Sequence, residues 1–221
     1  MRPAEYVLNA LYWAGMAQMK LLVDLPGTLV RTPREAHDRA LLQAAGIYDV
    51  ASEQAQKFWQ VFAGLRPAYF SGDLGDQRFW QQMIARVGLD DCDIAEAIAA
   101  DTNPSNHLDT EVWGCIDSLL DAGMSVGGTA NCSLSEAQNL RSQHPQFAEL
   151  DALVLSCDIG VALPDERMLE VAADAMGGSV RETMFISTNE GHLAAAAELG
   201  MCARLYLGVG QLCELVDQVS R

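Results

Sequence analysis

Residues 20–29 read Lys20-Leu21-Leu22-Val23-Asp24-Leu25-Pro26-Gly27-Thr28-Leu29. A short apolar run ends in an aspartate, and Pro26-Gly27 follows at once. Such a run, bounded by turn residues, predicts a buried strand and then a turn. Asp24 therefore falls at the carboxyl end of a strand. Downstream the pattern becomes helical. Thr32-Pro33 predicts an N-cap followed by proline at the first helical position. Helical segments are expected from about residue 34 to 100, among them 52–64 and 76–87. Phe58, Trp59, Phe62, Phe79, Trp80 and Met83 recur there at helical spacing, which predicts an aromatic core rather than a cofactor box.

Beyond that block a second rhythm begins. Residues 109–123 read as a helix closed by Gly123, and 124–127 as a short strand followed by Thr129-Ala130-Asn131. Further helices are expected at 133–142, 164–176, 191–199 and 209–219, and strands at 152–156, 183–187 and 203–207. Strands alternating with helices predict a doubly wound α/β fold, a parallel sheet with helices on both faces. The all-helical stretch interrupts the alternation after the first strand, as an inserted domain does. The expected organisation is an N-terminal extension (1–18), an α/β core (19–31 plus 105–221) and a helical insert (32–104). Ligands in such sheets bind beyond the carboxyl ends of the strands. Asp24, residues 127–131, 156–158 and 187–189 should therefore converge on one site, roofed by the insert.

The chain has 221 residues, half of them apolar, with 14 basic against 30 acidic side chains and a net charge of −16. A surface this acidic repels nucleic acid and anionic membranes and disfavours anionic substrates. The six cysteines, at 92, 115, 132, 157, 202 and 213, show neither C-x-x-C nor zinc-finger spacing. They are expected as reduced, mostly buried thiols of a cytoplasmic protein, with no zinc site. No apolar run reaches the roughly 18 residues of a membrane span. The stretch Tyr6–Ala17 is preceded by Glu5 and is short, so a signal peptide is not expected. Tyr6, Leu8, Leu11, Tyr12 and Met16 suit a short helix, lying on the body or pairing two copies in a homodimer.

The run Leu22-Val23-Asp24-Leu25-Pro26-Gly27-Thr28-Leu29 resembles the first motif of the haloacid dehalogenase (HAD) superfamily, an apolar strand followed by D-x-D-G-T-L. Residues 119–131, ending in Thr129-Ala130-Asn131, resemble the second motif. Residues 156–165, from Ser156 through Gly160 to Leu163-Pro164-Asp165, resemble the third. Met184-Phe185-Ile186-Ser187-Thr188-Asn189 resembles the fourth. Tyr69-Phe70-Ser71-Gly72 with Phe79-Trp80 is similar to the superfamily's helical caps. The resemblance spans about residues 19–215 and implies a Rossmann-like core with an inserted cap.

It also implies roles. Asp24 takes the place of the covalent nucleophile. The superfamily's acid/base carboxylate, two residues on, is Pro26. Thr28 is kept. In the register preferred, Asn131 matches the frequent asparagine of motif two and Ala130 falls at the hydroxyl position. Thr129 substitutes only if the loop shifts by one. The motif-three lysine is Leu163, and the motif-four carboxylates that hold magnesium are Ser187 and Thr188. The implied catalytic set is Asp24, Thr28, Asn131, Ser187 and Asn189. The implied substrate-binding set is Leu25, Pro26, Thr129, Ala130, Leu163 and Thr188. No metal or other cofactor is expected: magnesium favours carboxylate oxygens, and only Asp24 remains. A phosphate beside Asp24 without metal or lysine meets a like charge, costing about 4 kcal/mol at ~4 Å and an effective dielectric near 20.

The metal-free 2-haloacid dehalogenases offer a second comparison, because Ser187-Thr188-Asn189 is similar to their S-S-N. Against it, Leu163 still replaces the lysine, and His192 stands where an aspartate is expected. A first-turn histidine is more often solvated than a base, and the surface is the default for Arg31, Arg34 and Arg66. Cys132 beside motif two reads as an inert thiol, Glu190 as an ordinary first-turn carboxylate, and Asp158 as a turn or cap residue. Three functions stay open: a non-hydrolytic protein binding a small molecule or partner, a metal-independent hydrolase using Asp24, and a phosphatase whose missing groups come from elsewhere.

Overall fold

The computed structural model describes residues 19–102 and 107–219. The expected N-terminal extension and its Tyr6–Met16 helix lie outside these residues, as does the expected boundary at 105. The first strand, β1 (Lys20–Asp24), is buried along nearly its whole length. A five-stranded parallel sheet forms around it, with β4 (Val126–Ala130), β5 (Ala152–Leu155), β6 (Thr183–Ser187) and β7 (Cys202–Leu205). The order is β5-β4-β1-β6-β7, so the chain leaves β1 toward one edge and later returns past it to the other. Asp24 thus sits at the switch point of the sheet, opposite Thr129 of β4.

Alternation along β1 divides the core. Leu21 and Val23 join one cluster with Ile116 and Leu119 of α5 (Thr110–Asp121) and Leu212 and Leu215 of α10 (Val209–Val219). Leu22 joins the opposite cluster with Met168 and Leu169 of α8 (Glu166–Ala175) and Leu193 and Ala196 of α9 (Glu190–Leu199). Successive side chains of a strand point to opposite faces, and a parallel strand covered on both reads as a continuous apolar run.

Between β1 and α5 lie α1 (Arg34–Ala44), α2 (Glu53–Phe70), α3 (Asp76–Val87) and α4 (Ile94–Asp101). A two-stranded ladder, β2 (Val30–Arg31) against β3 (His107–Leu108), stands at the foot of this block. The four helices share their own hydrophobic core, in which Phe58, Phe79, Trp80 and Met83 are fully buried. Trp59 is only partly buried and packs edge-on against Phe58 and Phe62.

Local differences from the sequence expectation have physical reasons. Helix α2 runs past Gly64 and through Pro67 to Phe70, because the buried face continues through Leu65 and Tyr69. Pro33 takes the N-cap position of α1 rather than the first helical one. Strand β4 covers Val126–Ala130, so Thr129 and Ala130, expected in a loop, are strand residues. Gly127 and Gly128 belong in that strand through close packing. A Cβ on Gly127 would meet Met176 Sδ at 2.6 Å, and one on Gly128 would meet Leu25 Cδ2 at 3.0 Å. Ser156–Asp158, expected at a strand end, begin a one-turn helix, α7 (Ser156–Ile159).

Candidate functional site

The turn after β1 is held by its own backbone. The amides of Leu29 and Val30 both donate to Leu25 O, and Leu25 N donates to Thr129 O at 2.8 Å. Thr28 is fully buried, and its hydroxyl donates to the main-chain carbonyls of Asp24 and Leu25. Thr28 thus shapes the turn from beneath. Leu25 is buried in the core and Pro26 is exposed. Gly27 has φ 79°, and a Cβ there would come within 2.6 Å of Thr188 Oγ1, so this turn and the turn after β6 touch.

Asp24 is only 3% exposed. Its Oδ2 accepts from Ser187 Oγ at 2.6 Å and faces His192 Nδ1 at 2.7 Å. A carboxylate oxygen only accepts, so with Asp24 ionised the facing ring nitrogen carries a proton. Ser187 Oγ in turn accepts from Asn189 N at 2.9 Å. Asn189 is the N-cap of α9, its side chain accepting from Gly191 N and His192 N. Asn189 therefore acts through the helix that aims His192 at Asp24. This residue, read from the sequence as a solvated or capping position, is the basic partner of the aspartate. Only the return of β6 and α9 beside β1 makes that visible, since 168 positions separate the two residues.

Of the remaining expected site residues, all but Thr188 bond to backbone or lie in the core. Thr129 is fully buried and donates to Val154 O at 3.0 Å, and Ala130 is buried. Asn131 clamps the backbone of Leu163 twice, Nδ2 donating to Leu163 O at 2.7 Å and Oδ1 accepting from Leu163 N at 2.8 Å. The Leu163 side chain lies in the core with Leu22, Met168 and Phe185. Thr188 is exposed. Asp158 pairs with Arg141. Cys132 is buried; a hydrogen bond with Cys157, then burial, push its thiol well up, while the same bond holds Cys157 down.

Arg66 is not a surface residue. It binds Asp101 through two nitrogens, at 2.7 and 3.3 Å, and approaches Glu136 Oε1 at 4.0 Å. Its guanidinium stacks 4.1 Å from the centre of the Phe62 ring. Burial raises the Asp101 carboxyl while Arg66 opposes the rise, and burial pushes Glu136 up to about 7. Tyr69 OH and Ser135 Oγ both donate to Asp76, at 2.5 and 2.6 Å, and Asn139 donates to Thr102 O at 2.6 Å. The Ser135 and Asn139 bonds, with the Arg66–Glu136 approach, tie the helical block to α6 (Leu134–Gln143). Nothing in the local sequence distinguished Arg66 from a solvated arginine. Arg31 pairs with Asp109.

The donor set does not fit magnesium. Oδ2 of Asp24 already meets two partners, and Ser187 and Thr188 bring no charge. Among the described residues no group of three His, Cys, Asp or Glu side chains converges to hold a metal ion.

No protein-family model matches the sequence, and no curated protein matches it. Solved structures do match. A HAD family enzyme from Bacteroides thetaiotaomicron, in its magnesium complex, superposes with a TM-score of 0.67 at 18% identity, over 85% of this chain and 92% of that one. A predicted HAD-like family hydrolase from Porphyromonas gingivalis gives 0.67 at 22% identity, over 90% and 98%. A dehalogenase gives 0.62 at 16% identity, over 90% and 97%. Among the described residues no helix is long and apolar enough to cross a membrane. With its parallel sheet, its switch-point aspartate and its helical block after the first strand, the chain has the fold of the haloacid dehalogenase superfamily.

Proposed function

We propose that this protein is a HAD-fold binding protein that has given up magnesium-dependent phosphoryl transfer. The observation that carries this reading is the state of Asp24. Its carboxylate is almost wholly buried, and Oδ2 is engaged by Ser187 and His192. A nucleophile needs an exposed oxygen, an acid/base partner and a cation for the charge of its substrate. Pro26, Leu163, Ser187 and Thr188 supply none of these. In this reading the helical block is a cap over the carboxyl ends of β1, β4, β5 and β6. A small molecule or a partner protein binds between them, and the polar knot at Asp24 holds two loops together. The reading keeps the protein cytoplasmic, away from nucleic acid and membranes, and admits a homodimer.

A second reading draws support from His192. A base beside Asp24 suits a metal-free hydrolase, in which Asp24 displaces a leaving group from carbon and His192 takes the proton of the water that hydrolyses the resulting ester. A turnover screen of phosphate esters and 2-halo acids, with and without magnesium and with Asp24→Asn as control, separates the two. The binding reading expects no turnover that Asp24→Asn abolishes. Halide release lost in that variant would establish the second reading, and magnesium-dependent phosphate release lost in it would overturn both.

A further inference from the structure

Outside this site, two cysteines 98 positions apart meet on the other side of the sheet. Cys115 of α5 and Cys213 of α10 have their sulfurs 3.1 Å apart. Cys115 is buried in the core cluster that also holds Leu212 and Leu215, and Cys213 is exposed. Around them lie the Arg31–Asp109 pair and Tyr206, whose buried hydroxyl has no hydrogen-bond partner among the described residues. The backbone amide of Tyr206 donates to Ser187 O at 2.9 Å.

We propose that Cys115 and Cys213 form an oxidative modification site, a reversible disulfide that locks α10 to α5. A disulfide needs its sulfurs at about 2.05 Å, an approach of roughly one ångström from the present contact. Access sets the order of events. Burial, then the neighbouring Cys213, push the Cys115 thiol up to about 12, so Cys115 is not the group an oxidant meets first. Cys213 faces solvent. A hydroperoxide oxidises it to the sulfenic acid and is itself reduced, releasing water from hydrogen peroxide. The Cys115 sulfur then attacks the sulfenyl sulfur. The S–S bond forms, the S–O bond breaks, and the hydroxyl leaves with the Cys115 proton as a second water. A thiol reductant reverses the step by exchange. Cys132 and Cys157 form another close pair, but neither is an exposed thiol.

The full chain, titrated with hydrogen peroxide, tests this by intact mass, non-reducing electrophoresis and peptide mapping. The expected product is a monomer lighter by two hydrogens, with Cys115 and Cys213 joined and Tm raised by about 5–10 °C because a long loop is closed. Dithiothreitol should restore the starting mass and Tm. In Cys115→Ser, dimedone should trap a sulfenic acid on Cys213 that the wild type does not accumulate. Cys213→Ser should lose the crosslink while keeping the Tm of the reduced protein. The proposal is overturned by equal dimedone labelling of wild type and Cys115→Ser, by a disulfide mapped between Cys132 and Cys157 instead, or by a Cys213–Cys213 dimer as the main product.

Discussion

Asp24 and Arg66 each anchor a charge cluster among the described residues, and the two contrast. At Asp24 one carboxylate meets a hydroxyl and an imidazole. At Arg66 one guanidinium serves Asp101, Glu136 and an aromatic surface, with Asp76 nearby. The first lies in a stretch that resembles a family motif; the second lies in a helix marked in the sequence only by its aromatic spacing. The larger cluster of fixed charge stands where the helical block meets α6.

The largest expected effect is at the junction. Arg66→Ala leaves the Asp101 carboxylate buried without its cation, at a cost of about 3–5 kcal/mol. Urea denaturation measures it, and a loss below about 1 kcal/mol would refute the contrast. Next comes pH. The folded state holds the Glu136 carboxyl near 7, above its ordinary range, so the folded protein binds that proton more tightly than the unfolded chain. Stability from this group should fall as pH rises from about 4.5 to 7 and level off above, by about 1–3 kcal/mol. Glu136→Gln, which can still serve the capping box with Ser133, should flatten that window. A pH dependence unchanged in the variant would assign the effect elsewhere. The smallest effect belongs to the Asp24 knot. A double-mutant cycle of Asp24→Asn and His192→Ala should give a coupling of about 1–2 kcal/mol. Coupling near zero would mean that the two side chains do not hold each other, and the binding reading would lose its support.

Much of the fold was legible because its signals are local. The apolar run before Asp24, the glycines that close α5 and α9, and the alternation of strands and helices act over a few residues, so sequence spacing reports them. The aromatic spacing of α2 and α3 likewise announced a separate helical core. Boundaries were lost where packing overrides propensity. Thr129 and Ala130 read as a loop, yet they continue a strand whose Gly127 and Gly128 let Met176 and Leu25 approach. Asn131 and Thr28 read as chemistry and are found bonding backbone, since a polar side chain looks the same in either role.

The sequence by itself determined that Asp24 ends a buried strand and that Pro26, Leu163, Ser187 and Thr188 bring no charge to it, because residue identity alone decides which groups can ionise. Tertiary structure decided what stands beside it. His192, Arg66 with Asp101, and Cys115 with Cys213 are partnerships across 35 to 168 positions. No local pattern encodes them. The first and third arise only when the parallel sheet brings α9 and α10 back beside elements laid down much earlier in the chain, and the second when the helices of the block close on one another.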